Sequence, residues 1–157
     1  MTALSLIIAD DHQLVRAGLS QLIEAQPDLR VTAQCKNGKE ALAALKAQSC
    51  QVLLLDLSLP DMSGLDVLKF TRQHYPGTAV LVLSGFPERQ FGINVLRAGA
   101  SGFVSKSVDE AELLRAVRTG ARPSREDLAD YDQLVGEWGV APALATRIAP
   151  ELMRART

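Results

Sequence analysis

The run Val52-Leu53-Leu54-Leu55, closed by Asp56, constrains this chain more than any other stretch. Four consecutive apolar residues with no turn former read as a strand buried on both faces of a parallel sheet. Such a strand delivers Asp56 to its carboxyl end, which in an open α/β sheet is where ligands bind. An acid at that place is either a functional group or an oddly placed cap.

The pattern recurs along the chain. Leu4 to Ala9 is a second apolar strand ending in acids, Asp10 and Asp11, with His12 after them. Leu14, Val15, Leu19, Leu22 and Ile23 then fall at helical spacing, and Pro27 lies beyond the stop. Leu29 to Cys35 reads as a short strand, Asn37-Gly38 as a turn, and Ala41, Leu42 and Leu45 as one face of a second helix. After Asp56, Leu59 to Gly64 is rich in turn formers, and Leu65, Leu68 and Tyr75 mark a third helix ended by Pro76-Gly77. Thr78 to Leu83 is a fourth strand, closing on Ser84-Gly85. A fourth helix is expected between Glu88 and Arg97, with Gly99 able to take a left-handed C-cap. A fifth strand spans Gly102 to Ser105, Lys106 follows it, and a last helix opens at Val108-Asp109-Glu110.

Five strands alternating with five helices make a doubly wound parallel α/β domain over residues 1–120. Right-handed crossovers bring the ends of the first, third, fourth and fifth strands to one rim, collecting Asp10, Asp11, Asp56, Ser84 and Lys106. Three carboxylates at close range repel one another unless a cation sits among them, so a divalent metal is the economical explanation. Oxygen ligands and an incomplete protein shell suit Mg²⁺. Lys106 and the Ser84 hydroxyl then complete a cradle for a phosphoryl group on Asp56.

The remaining composition narrows the setting. A length of 157 residues with 47% hydrophobic content supports one ordinary core and a short appendage. No apolar run reaches the roughly 18 residues of a spanning helix, and the first residues lack the basic start of a signal peptide, so no membrane contact and a cytoplasmic location are expected. Cys35 and Cys50 have no ligand-spaced neighbours and read as packing residues. A net charge of −1 gives no electrostatic ground for binding nucleic acid.

Taken as an ordered set, the acidic pair after strand one, the single Asp after strand three, the hydroxyl after strand four and the Lys after strand five resemble a response regulator receiver domain over about residues 4–119. The resemblance implies a CheY-like, flavodoxin-like five-stranded sheet of order 2-1-3-4-5 with helices on both faces. It implies that Asp56 accepts phosphate from a sensor histidine kinase of a two-component system, with Asp10, Asp11, Asp56 and the Ser58 carbonyl on Mg²⁺. Ser84 and Lys106 would contact the phosphoryl oxygens. Ser84 and Phe103 would form the switch, Phe103 standing where relatives often carry Tyr, and the surface of the fourth helix, fifth strand and fifth helix would respond. Asp10-Asp11-His12 and Gly99-Ala100-Ser101-Gly102-Phe103 resemble in particular the NarL/FixJ subfamily, whose members carry a C-terminal helix-turn-helix.

Each residue also admits a plainer reading. Asp10 or Asp11 serves as a cap of the first helix, Lys106 as a solvated charge, Ser84-Gly85 as a turn, and Phe103 as core packing. His12 and His74, far apart in sequence, read as surface residues. Three function classes stand: a phosphorylation-dependent switch without enzymatic turnover, a haloacid-dehalogenase-type phosphatase, and a constitutive pseudo-receiver. The phosphatase generally wants a second acid two residues after its nucleophile, where Ser58 stands. The pseudo-receiver would normally have lost Asp56, Lys106 or an acid of the pair, and all are present.

The tail departs from the subfamily. Gly120 to Ser124 reads as a linker, and residues 121–157 are only 37, too few for a four-helix output domain. One helix is expected over 127–138 and another over 143–153, interrupted by Pro150. This stretch holds five basic and six acidic residues, so no DNA binding is expected of the chain. A phosphorylation-dependent homodimer or a protein partner is expected instead.

Overall fold

The computed structural model of the protein describes residues 3–84, 95, 98–106 and 109–121. Strands and helices alternate as β1 (Leu4–Ala9), α1 (Gln13–Glu24), β2 (Leu29–Cys35), α2 (Gly38–Ala47), β3 (Val52–Asp56), α3 (Gly64–His74), β4 (Ala79–Ser84), β5 (Gly102–Ser105) and α4 (Glu110–Ala121). The strands form a five-stranded parallel sheet of order β2-β1-β3-β4-β5, the order expected. The helix here labelled α4 is the fifth of the sequence reading. The expected fourth, 88–97, and both tail helices fall outside the described residues, apart from a buried helical Val95.

Residues 1–79 form one unit. Within it β1 pairs in parallel with both β2 and β3. Leu6, Ile7 and Ile8 of β1 and Val52 to Leu55 of β3 are fully buried. Successive strand residues point to opposite faces, so burial of every one means that both faces of the sheet are covered at these strands. Each such side chain contributes roughly 1.5–3 kcal/mol on leaving water. β2 is the sheet edge and alternates more loosely between buried and exposed residues. Its register slips by one residue between Leu6 and Ile7, and the Thr32 hydroxyl at the slip donates to the Leu6 carbonyl at 3.2 Å. Cys35 and Cys50 are buried, and burial pushes both thiols up to about 11, as suits packing residues.

Local chemistry sets the helix ends and amends four expectations. Asn37 is not a turn residue but the N-cap of α2. Its side chain accepts the Glu40 N–H at 2.8 Å while Glu40 accepts the Lys36 N–H at 3.1 Å, a reciprocal cap. Ser63 caps α3, and Tyr75 lies just past its end, where Pro76 stops the helix. Leu14, counted in the apolar stripe of α1, is instead 88% exposed, because it lies well round the helix from Val15, Leu19, Leu22 and Ile23. Gly120 and Ala121, expected in the linker, are the last residues of α4.

The second unit begins at Val80. β4 and β5 pair in parallel, with Val82 opposite Phe103 and Ser84 opposite Ser105. Gly99 holds φ 108°, the left-handed region that favours glycine, at the turn leading to β5. Asp109 caps α4, its carboxylate accepting the Glu112 N–H at 2.8 Å, and Leu113, Leu114, Ala116 and Val117 form the buried face.

Candidate functional site

The register that pairs Ala9 with Leu55 brings Asp10 and Asp56, one residue further on, to neighbouring positions at the same end of adjacent strands. Strands so paired lie about 4.8 Å apart. Asp10 continues the ladder, its N–H donating to the Cys35 carbonyl at 3.0 Å, and both acids are buried, Asp10 completely and Asp56 to within 3%. One ligand atom from each of Asp10, Asp11, His12 and Asp56 lies within 4.8 Å of the others. That span is the size of one cation's coordination sphere, and hard carboxylate oxygens are the donors that Mg²⁺ accepts.

Two backbone groups orient these carboxylates. The Ser58 N–H donates to Asp56 Oδ1 at 3.0 Å, and the His12 N–H donates to Asp10 Oδ1 at 2.8 Å. Asp10 and Asp11 are therefore not the cap of α1: His12 holds that position and makes no side-chain cap. Arg16, one turn into α1, donates to the Asp10 carbonyl and ties the helix to the loop that carries the acids.

His12 is the residue that sequence reasoning missed. It is exposed, as expected, yet its Nδ1 lies 3.1 Å from Asp10, 3.2 Å from Asp11 and 3.9 Å from Asp56. The available signal was its contiguity with the acidic pair. His74, by contrast, stacks against Phe70 at 4.2 Å between ring centres at the far end of α3.

Asp61 also has a role no sequence pattern announced. Its carboxylate accepts the Gly38 N–H at 2.7 Å and the Lys39 N–H at 2.9 Å, and these bonds hold it below the usual carboxylate range. The remaining candidates lie in the second unit. Ser84 ends β4, Lys106 follows β5, and Phe103 is a buried residue within β5.

Comparison with known proteins agrees with this arrangement. The family model described as the response regulator receiver domain matches residues 6–118. The transcriptional regulatory protein UhpA of Salmonella typhimurium is 42% identical over 118 residues, covering 75% of this chain and 59% of UhpA. The oxygen regulatory protein NreC of Staphylococcus aureus is 37% identical over 117 residues, covering 74% of this chain and 54% of NreC. The chain thus spans little more than half the length of these relatives. Among solved structures, a LuxR-family two-component response regulator from an Aurantimonas species superposes with a TM-score of 0.76 at 28% identity, covering 99% of both chains. A match across most of the chain, on a sheet of this order with the acids gathered at one strand end, means that the chain belongs to the response regulator receiver domain family.

Proposed function

We propose that this chain is a phosphoryl-accepting switch in which Asp56 takes phosphate from a sensor histidine kinase. The observation that carries the reading is the gathering of Asp10, Asp11 and Asp56 ligand atoms within 4.8 Å at the end of two buried strands. Phosphoryl transfer forms a bond between an Asp56 carboxylate oxygen and phosphorus as the phosphorus–nitrogen bond of a phosphohistidine breaks. Burial keeps water off the Asp56 carboxylate, and the Ser58 N–H on Oδ1 fixes its rotation. Asp10, Asp11, Asp56 and the Ser58 carbonyl are the groups that would hold Mg²⁺, and a bound Mg²⁺ neutralises charge on the phosphoryl oxygens. Ser84 and Lys106 are assigned to those same oxygens by hydroxyl and ammonium donation, and Ser84 with Phe103 to the switch.

The phosphatase reading is weaker on chemistry. An enzyme of that kind needs an acid to protonate the leaving group, and Ser58, two residues on, has no such acid and bonds Asp56 through its backbone. No helix among the described residues is long and apolar enough to cross a membrane. The test is incubation of the protein with acetyl phosphate and Mg²⁺, followed by intact mass. The wild type gains one phosphoryl group, chelation of Mg²⁺ prevents it, and Asp56→Asn, nearly isosteric but a poor nucleophile, gains none. Labelling of the Asn variant at the wild-type rate would place the acceptor elsewhere.

A further inference from the structure

Between Asp56 and α3 the chain runs through seven residues, Leu57 to Ser63, that carry the Ser58 carbonyl and N–H. The base of this loop is closed by Ser58 N–H to Asp56 Oδ1 at 3.0 Å and by Gly64 N–H to the Leu57 carbonyl at 3.1 Å. Its apex is held by a different element. Asp61 grips the first two N–H groups of α2 with both carboxylate oxygens, at 2.7 and 2.9 Å. Beside it, Met62 lies so close over Gly38 that a Cβ there would sit 2.3 Å from Met62 Cγ and 2.6 Å from Sδ. A Cβ there would also lie 3.2 Å from Asp61 Oδ1, so a side chain at position 38 makes both Met62 and Asp61 give way.

We propose that Asp61 and Met62 are positioning residues for the phosphoacceptor site, clamping the loop to the start of α2 so that Ser58 is held where Asp56 and a cation use it. This rests on the phosphoacceptor reading and adds α2 to the parts on which that site depends. The placement favours a positioning role over a stabilising one. Asp61 and Lys39 are exposed, so on the loss of Asp61 water satisfies the Lys39 N–H, and although Gly38 is buried, α2 keeps its own cap at Asn37. What the loss removes is the fixed path of the loop. A carboxylate at a helix N-terminus is also favoured by the helix dipole, which gives the clamp a preferred partner at each end.

The test measures Mg²⁺ affinity by calorimetry and the labelling rate with acetyl phosphate, with thermal melting as the control on folding. Asp61→Ala is expected to weaken Mg²⁺ binding by about tenfold or more, the usual cost of losing a group that orients a metal ligand, and to slow labelling, while the chain still melts cooperatively. Asp61→Asn keeps one acceptor oxygen and falls between. Gly38→Ala is expected to weaken binding in the native Met62 background and to weaken it less beside Met62→Ala, because the closest clash is then gone and only the Asp61 Oδ1 contact at 3.2 Å remains. Equal losses from Gly38→Ala in both backgrounds, or a folded Asp61→Ala with wild-type affinity and rate, overturn the inference. If Asp61→Ala does not fold, the Gly38 and Met62 cycle decides alone. A wild-type chain that neither binds Mg²⁺ nor labels removes the phosphoacceptor reading and this inference together, whereas a wild type that does both beside indifferent variants removes this inference only.

Discussion

Asp10, Asp11 and Asp56 are like charges held together, and the fold sustains this only because other contacts outweigh their repulsion. Asp11 is the one of the three whose removal sacrifices least packing, since its side chain is 34% exposed while Asp10 and Asp56 are buried. Asp11→Ala is therefore expected to raise the melting temperature in metal-free buffer, by roughly 2–6 °C for a relief of about 1 kcal/mol. If Asp11 holds Mg²⁺ as proposed, the same variant is expected to lose most of the stabilisation that Mg²⁺ gives the wild type. Paired melts with chelator and with Mg²⁺ check both, and a lower melting temperature in chelator would mean that Asp11 contributes structure rather than repulsion. At this scale the acids were legible because Asp10 and Asp56 each follow an uninterrupted apolar run and Asp11 adjoins the first of them. His12 was not, since what places its Nδ1 among them is the backbone turn after β1, and a turn has no period to read.

Elements carried the clearest sequence signal in their interiors and the weakest at their ends. The apolar run Val52 to Leu55 of β3 and the spaced Ala41 and Leu45 of α2 stand as expected, because burial of a strand on both faces or of one helix stripe demands those patterns. Boundaries depended on contacts distant in sequence. Gly64 was read as one more turn former, yet it opens α3, and its need for glycine comes from crowding. A Cβ there would lie 2.4 Å from the Leu57 Cα and 2.9 Å from the Asp56 carbonyl oxygen. Neither is the end of a flexible side chain, so the backbone itself must shift. Gly64→Ala is expected to destabilise the protein by about 1–3 kcal/mol, as overpacking does. Urea denaturation measures it, and a midpoint equal to the wild type would show that α3 can slide away from the end of β3 at no cost. The Asp61 grip on α2 was invisible for the same reason: 22 or 23 residues separate its partners.

For the molecule as a whole, the open matter is what a phosphoryl group on Asp56 changes. It adds roughly −1.5 to −2 charges at neutral pH, enough to reorder hydrogen-bond donors around it. The hypothesis is that Ser84 turns toward it and Phe103 follows, altering the surface of β5 and the helices flanking it in sequence. Phe103 is buried and has no hydroxyl, so under this hypothesis it would report the switch by packing alone, without the hydrogen bond a Tyr could form, and a smaller free-energy gap between the two states is expected. Transcriptional regulators such as UhpA extend beyond the segment matched here, and residues 121–157 of this chain carry one more acid than base. That balance gives the tail no net attraction to the DNA backbone, and the hypothesis is that the altered surface meets protein. Light scattering at high protein concentration, with and without beryllofluoride as a phosphoryl mimic, is expected to report a doubled mass only in the presence of the mimic and Mg²⁺. An unchanged mass assigns the surface to a different protein partner instead. Binding of this chain to DNA at moderate salt contradicts the reading of the tail, and a mass that doubles equally in Asp56→Asn separates self-association from phosphorylation altogether.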